Sequence, residues 1–144
     1  MPEGKTHLKI ELFSALLLFP FVFYLAYAVK EIAQIEVISF CIGYLLGSLL
    51  LSPDMDLFKS DVIGRWSIFK YIWAPYCWLY NHRGVSHSWI FGSFTRFSYL
   101  ILLLCPIVYF YPQILQYWRE VISVFVGCWF ANSLHLIADR HWKL

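Results

Sequence analysis

Five histidines and nine carboxylates are all the imidazole and acid this 144-residue chain owns. Seven of these residues fall into four groups with the chemistry of metal ligands: His7, Asp54 with Asp56, His82 with His87, and His135 with Asp139. Imidazole together with carboxylate suits zinc, iron or manganese rather than calcium, which prefers all-oxygen cages. Seven donors exceed the four of a closed mononuclear zinc site, so one ion with outer acids, or a two-ion centre, is expected. Such a centre lowers the pKa of bound water and supplies hydroxide near neutral pH, with Asp54 or Asp56 as a base.

Each group also has a plainer reading. His7 can be a solvated histidine. One of Asp54 and Asp56 can cap the segment that follows. Residues two apart point to nearly opposite sides of a helix, so both acids reach one place only if the chain turns at Pro53. His82 and His87 diverge by about 140° on a helix. They meet only if Gly84 breaks it, and Ser86 or Ser88 then caps the next span. His135 and Asp139 are spaced i, i+4 and stack about 6 Å apart along one helix face. An acid near hydrocarbon depth costs about 2.5–3.5 kcal/mol, so Asp139 needs His135, Arg140 or a metal as partner. Arg83 and Arg96 can hold a phosphate through paired N–H donors or snorkel to lipid headgroups.

The elements that position these residues are written in the composition. The chain is 60% hydrophobic and 14% charged, against about 25% charged for soluble domains, and its mean hydropathy is +0.62. A spanning helix needs about 20 mostly apolar residues, and four windows come close: 12–29, 37–53, 97–118 and 121–138. The expected fold is an all-α, multi-pass membrane bundle of four transmembrane helices in a single domain, 1–144. The polar stretches 30–34 and 119–120 are short enough to join windows one and two, and three and four, as helical hairpins. The aromatic-rich segment 65–74 is expected to be a short interfacial helix ended by Pro75.

Lys5, Lys9, Lys59, Arg65, Lys70, Arg83, Arg96, Arg140 and Lys143 fall on one side of this topology, and only Lys30 and Arg119 on the other. By the positive-inside rule the first side, which holds both termini, is cytoplasmic, and the membrane is the inner, cytoplasmic one. All four ligand groups share that side. Lys5, Lys9 and the Ala26-Tyr27-Ala28 stretch imitate a cleaved leader, but Glu3 and Glu11 are acidic in its supposed basic part, so an uncut first span is expected. Cys41, Cys77, Cys105 and Cys128 have no C-x-x-C spacing and read as small buried hydrophobes. A net charge of +2 gives no footprint for nucleic acid.

Four stretches carry a resemblance that runs through the chain in order: Met1-Pro2-Glu3-Gly4-Lys5-Thr6-His7, Leu51-Ser52-Pro53-Asp54-Met55-Asp56, His82-Arg83-Gly84-Val85-Ser86-His87-Ser88, and His135 to Asp139. They resemble a bacterial family of uncharacterised metal-binding membrane proteins and, more broadly, the YdjM-like inner-membrane metal-dependent hydrolases. The chain departs from the latter at Leu57, where those proteins often carry a histidine. The resemblance implies a membrane metalloprotein with ligands drawn from His7, Asp54, Asp56, His82, His87, His135 and Asp139.

The expected function is hydrolysis of a lipid or lipid-linked phosphoester at the cytoplasmic interface by one or two divalent ions, zinc foremost. Asp54, Asp56 and Arg83 are the expected catalytic side chains, and membrane lipid the expected partner. The alternative is a non-catalytic metal-binding membrane protein.

Overall fold

The structure is a computed structural model that describes residues 4–30, 32–80 and 87–141. All regular structure among them is helical. Four longer helices, α1 (Gly4–Val29), α2 (Gln34–Leu49), α5 (Phe91–Phe110) and α6 (Trp118–His141), frame two short ones, α3 (Asp61–Arg65) and α4 (Ala74–Leu79). Single-stretch 3₁₀ segments occupy Pro53–Asp56, Ser67–Trp73 and Pro112–Tyr117. Three stretches are long and apolar enough to cross a membrane: Thr6–Val29, Phe91–Phe110 and Pro112–Arg140. The second expected window yields a helix of only 16 residues, about 24 Å long.

Glycine spacing sets the central contact. Gly43 and Gly47 on α2 lie against Val124 and Cys128 on α6, a constant register that makes the two helices parallel. A Cβ on Gly43 would overlap the Val124 carbonyl, and one on Gly127 would overlap the Phe40 carbonyl. Small residues four apart are what permits such close backbone approach. At the far end from the acids, the Glu36 carboxylate accepts the Ala33 N–H at 3.2 Å and pairs with Arg119 Nε at 2.6 Å, joining the first turns of α2 and α6. α5 and the residues just before it are held to α6 by Asn132 Nδ2 donating to Ser93 Oγ at 2.9 Å and Trp129 Nε1 donating to the Trp89 carbonyl at 2.7 Å.

Several expected boundaries are corrected. Arg119 and Glu120 lie in the first turn of α6 rather than in a connection, and the chain turns instead through Tyr111 and the 3₁₀ segment at Pro112. Proline lacks the N–H that a continuing helix requires, which hydropathy does not register. Pro75 sits in the opening turn of α4 instead of ending a helix, where its fixed φ suits the first turn. The segment before it splits into α3 and a 3₁₀ stretch rather than one interfacial helix.

The aromatic segment is also less peripheral than expected. Trp73 and Tyr76 are fully buried with Met55 and Ile63, forming a core directly beneath the Asp54–Asp56 turn. Tyr71 and Trp78 remain exposed. Arg65 and Trp66 donate to the Leu49 and Leu50 carbonyls at 2.8 and 3.0 Å, satisfying acceptors that the end of α2 leaves over. The acid turn is thereby clamped between the end of α2 and this second core. Cys41 and Cys128 are buried and Cys77 is half-buried, whereas Cys105 is exposed, against the expectation for it.

Candidate metal centre

α1 and α6 cross antiparallel with their titratable residues in reciprocal pairs. His7 Nε2 lies 3.3 Å from Asp139 Oδ1, and one turn along, Glu11 Oε1 lies 2.8 Å from His135 Nδ1. Each helix carries its His and acid at i, i+4, so one face of each presents both groups. The His7 and His135 rings stack with centroids 4.5 Å apart and planes at 30°. Arg140 lies over the Trp89 ring at 5.8 Å, so within the described residues Asp139 faces His7 and, at 4.0 Å, the expected His135 rather than Arg140.

The turn at Pro53 brings both aspartates to His87. His87 Nδ1 is 3.3 Å from Asp56 Oδ2, and Nε2 is 3.7 Å from Asp54 Oδ1. The other Asp54 oxygen, Oδ2, is 3.7 Å from His135 Nε2. Asp54 thus faces a histidine with each oxygen and stands between two groups, His7/His135/Asp139 and His87/Asp56. Burial works against a charged His87, but its hydrogen bonds to Asp54 and Asp56 and their negative charge outweigh it, pushing its pKa up to about 9. Burial likewise disfavours ionised Asp54. The hydrogen bond from His87 and the fields of His135 and His87 outweigh it and hold the carboxyl below the usual range.

Of the seven expected ligands, six come together: His7, Asp54, Asp56, His87, His135 and Asp139. His82, and with it Arg83, lies outside the described residues. Arg96, expected at the headgroups or on an anion, is instead fully buried close to Tyr76 and Asp56.

Glu11 is the residue that sequence reasoning missed. It is 2% exposed, and its contact with His135 Nδ1 turns that ring's Nε2 toward Asp54 and Asp139. The signal was available: His7-x-x-x-Glu11 repeats the i, i+4 spacing of His135-x-x-x-Asp139. Ser52 Oγ, 3.5 Å from His135 Nδ1, is a second unassigned neighbour.

The donor set fits a transition metal. His7 Nδ1 is buried and makes no hydrogen bond among the described residues, a cost of about 1–3 kcal/mol for a buried polar group unless another partner fills it. One donor atom from each of His7, His135 and Asp139 lies within 4.8 Å of the other two. Donors about 2.1 Å from a shared zinc ion can be no more than about 4.2 Å apart, so side-chain rotations closing about half an ångström would suffice. His135 has the carboxylate on its far ring nitrogen that ligating histidines commonly carry.

Comparison with known proteins points to metal binding. Residues 2–115 match a family model described as uncharacterized metal-binding protein (DUF2227). The chain belongs to that family. The family match includes His7, Glu11, Asp54, Asp56 and His87, while His135 and Asp139 lie beyond it. An uncharacterized protein of Aquifex aeolicus (strain VF5) is 43% identical over 63 residues, 44% of this chain and 45% of that protein, so the chain spans less than half of that relative's length. No solved structure matches the chain.

Proposed function

We propose that the chain is a multi-pass protein of the inner, cytoplasmic membrane that holds one or two divalent transition-metal ions and hydrolyses a phosphoester presented by a membrane lipid. Zinc is the foremost candidate, with iron or manganese as the others. The apolar outward faces of α1 and α5 support insertion, with Leu16, Leu17, Leu102 and Phe110 among their exposed side chains. α2 completes a fourth crossing despite its length, since a short span is accommodated by local thinning of the bilayer. The distribution of lysine and arginine supports cytoplasmic termini.

The observation that carries the two-ion reading is Asp54, with one oxygen toward His135 and the other toward His87. His7, His135 and Asp139 would hold one ion, and His87 with Asp56 a second, Asp54 lying between. A bound ion supplies Lewis acidity and lowers the pKa of the water it binds. The Asp56 side chain is wholly buried, whereas that of Asp54 is 29% exposed. Asp54 is therefore the acid placed to take a proton from an attacking water, through an oxygen that the ions leave free, and the buried Asp56 would hold both His87 and the second ion. The resemblance to YdjM-like hydrolases favours the same chemistry.

Metal content and turnover on a panel of lipid phosphates test this. Wild type is expected to carry about two ions per chain and Asp54→Asn about one, since a shared carboxylate is lost. Asp54→Asn is also expected to lose about 10²–10⁴-fold in turnover, the usual contribution of a positioned base. The burial of His7, Glu11, Asp56 and His135 favours a second reading, a closed and non-catalytic metal site. Metal-replete wild type that turns over no member of the panel would establish that reading instead.

A further inference from the structure

A groove lies between α1 and α2, on a different side of α1 from the metal centre. Leu12, Leu16, Phe19 and Leu45 line it, with Lys9 at its N-terminal end. Its volume of about 690 Å³ falls within the roughly 300–1,000 Å³ of small-molecule sites. Apart from Lys9 its walls are apolar, and the small side chain of Ala15, also in the lining, leaves the space open.

Two features identify what fits. The first is length: the helical rise from Lys9 to Phe19 is about 15 Å, half of a hydrocarbon core about 30 Å thick. The groove is therefore one leaflet deep. The second is charge: its single ionic group is a lysine at the end that lies level with the metal centre, because Lys9 sits between His7 and Glu11 in sequence. Two residues from each, it projects from the other side of the helix. No described residue pairs with its ammonium group.

We propose that this groove holds an acyl chain of an anionic phospholipid of the leaflet on the metal side, with the lipid phosphate on Lys9. The proposal rests on the membrane-embedded reading and not on catalysis. The lipid is bound across α1 from the metal, so it is a resident of the fold and not the reacting molecule.

Native mass spectrometry of detergent-solubilised chain, titrated with phosphatidylglycerol or with phosphatidylcholine of the same acyl chains, tests this. Wild type is expected to retain one phosphatidylglycerol with about fivefold preference over phosphatidylcholine, the factor that one basic residue near a charged surface supplies. Lys9→Gln should abolish the preference while still binding both lipids. Leu16→Trp, which fills the groove from a position already 70% exposed, should weaken both by roughly tenfold or more. Leu12→Trp repeats the test nearer Lys9. Metal content should be unchanged in all three variants.

Equal retention of both lipids by wild type, or undiminished retention by the two tryptophan variants, overturns the proposal. Solubility without detergent overturns both it and the membrane reading beneath it. Loss of metal from wild type with the lipid pattern intact removes the metal reading and leaves this one standing.

Discussion

His135→Ala is expected to strip the chain of tightly held metal. This ring meets three acids: Nδ1 lies 2.8 Å from Glu11, while Nε2 lies 3.7 Å from Asp54 and 4.0 Å from Asp139. Removing it deletes a ligand and the stacking partner of His7 together. It also leaves Glu11 buried beside a void, a loss of about 3–5 kcal/mol if the carboxylate stays charged. A fold defect could therefore imitate a metal defect, and His135→Gln separates the two. Its amide can still donate to Glu11, yet it does not supply an imidazole nitrogen to the ion. Both variants should lose metal in competition with a chromophoric chelator, while His135→Gln keeps the helical circular dichroism of wild type.

Glu11→Gln is the finer probe of the same arrangement. It keeps the shape but not the charge that holds the His135 proton on Nδ1, and loss of such an outer carboxylate typically weakens metal binding about 10–100-fold. The expected order of affinity is wild type, then Glu11→Gln, then His135→Gln. Wild-type affinity in His135→Gln would remove the centre from consideration.

The ease of finding this centre, and the difficulty of finding all of it, have one physical origin. In a chain with so few charges, an imidazole or carboxylate inside or beside an apolar run stands out because leaving it unpartnered in hydrocarbon is costly. That is why His7, Asp54, Asp56, His87, His135 and Asp139 were legible as a set, and why the turn at Pro53 could be anticipated. Glu11 does not stand out in the same way because, taken alone, an acid near the N-terminus argues only against a leader peptide. Its meaning emerges when it is placed four residues from His7 on a helix that crosses α6 antiparallel. The helices themselves were readable from hydropathy. Their boundaries near Pro112 and Pro75 were not, since those depend on backbone donors to which a hydropathy sum is blind. Likewise, the burial of Trp73 and Tyr76 follows from packing against Met55 and Ile63, contacts between segments that no local pattern contains.

Gly127→Ala is expected to be strongly disruptive. A Cβ there would overlap the Phe40 carbonyl oxygen and press on the Tyr44 nitrogen, both backbone atoms of α2 that cannot swing aside as a side chain would. Gly43→Ala meets the Val124 backbone in the same way from the opposite helix. Overpacking a close interface commonly costs about 1–3 kcal/mol, and backbone collisions lie at or beyond the upper end of that range. α2 carries Ser52 and the Asp54–Asp56 turn at its end, and α6 carries His135, so prising the helices apart also moves Asp54 away from His135. Thermal unfolding in detergent should therefore show a large loss of stability in Gly127→Ala, and metal affinity should fall with it although no ligand has changed. Gly64→Ala is the control. Nothing lies within 4 Å of the added Cβ, and replacing a helical glycine by alanine stabilises by about 0.5–1 kcal/mol. If Gly127→Ala and Gly64→Ala unfold together, the close parallel crossing of α2 and α6 is wrong, and with it the route by which this fold brings Asp54 to His135.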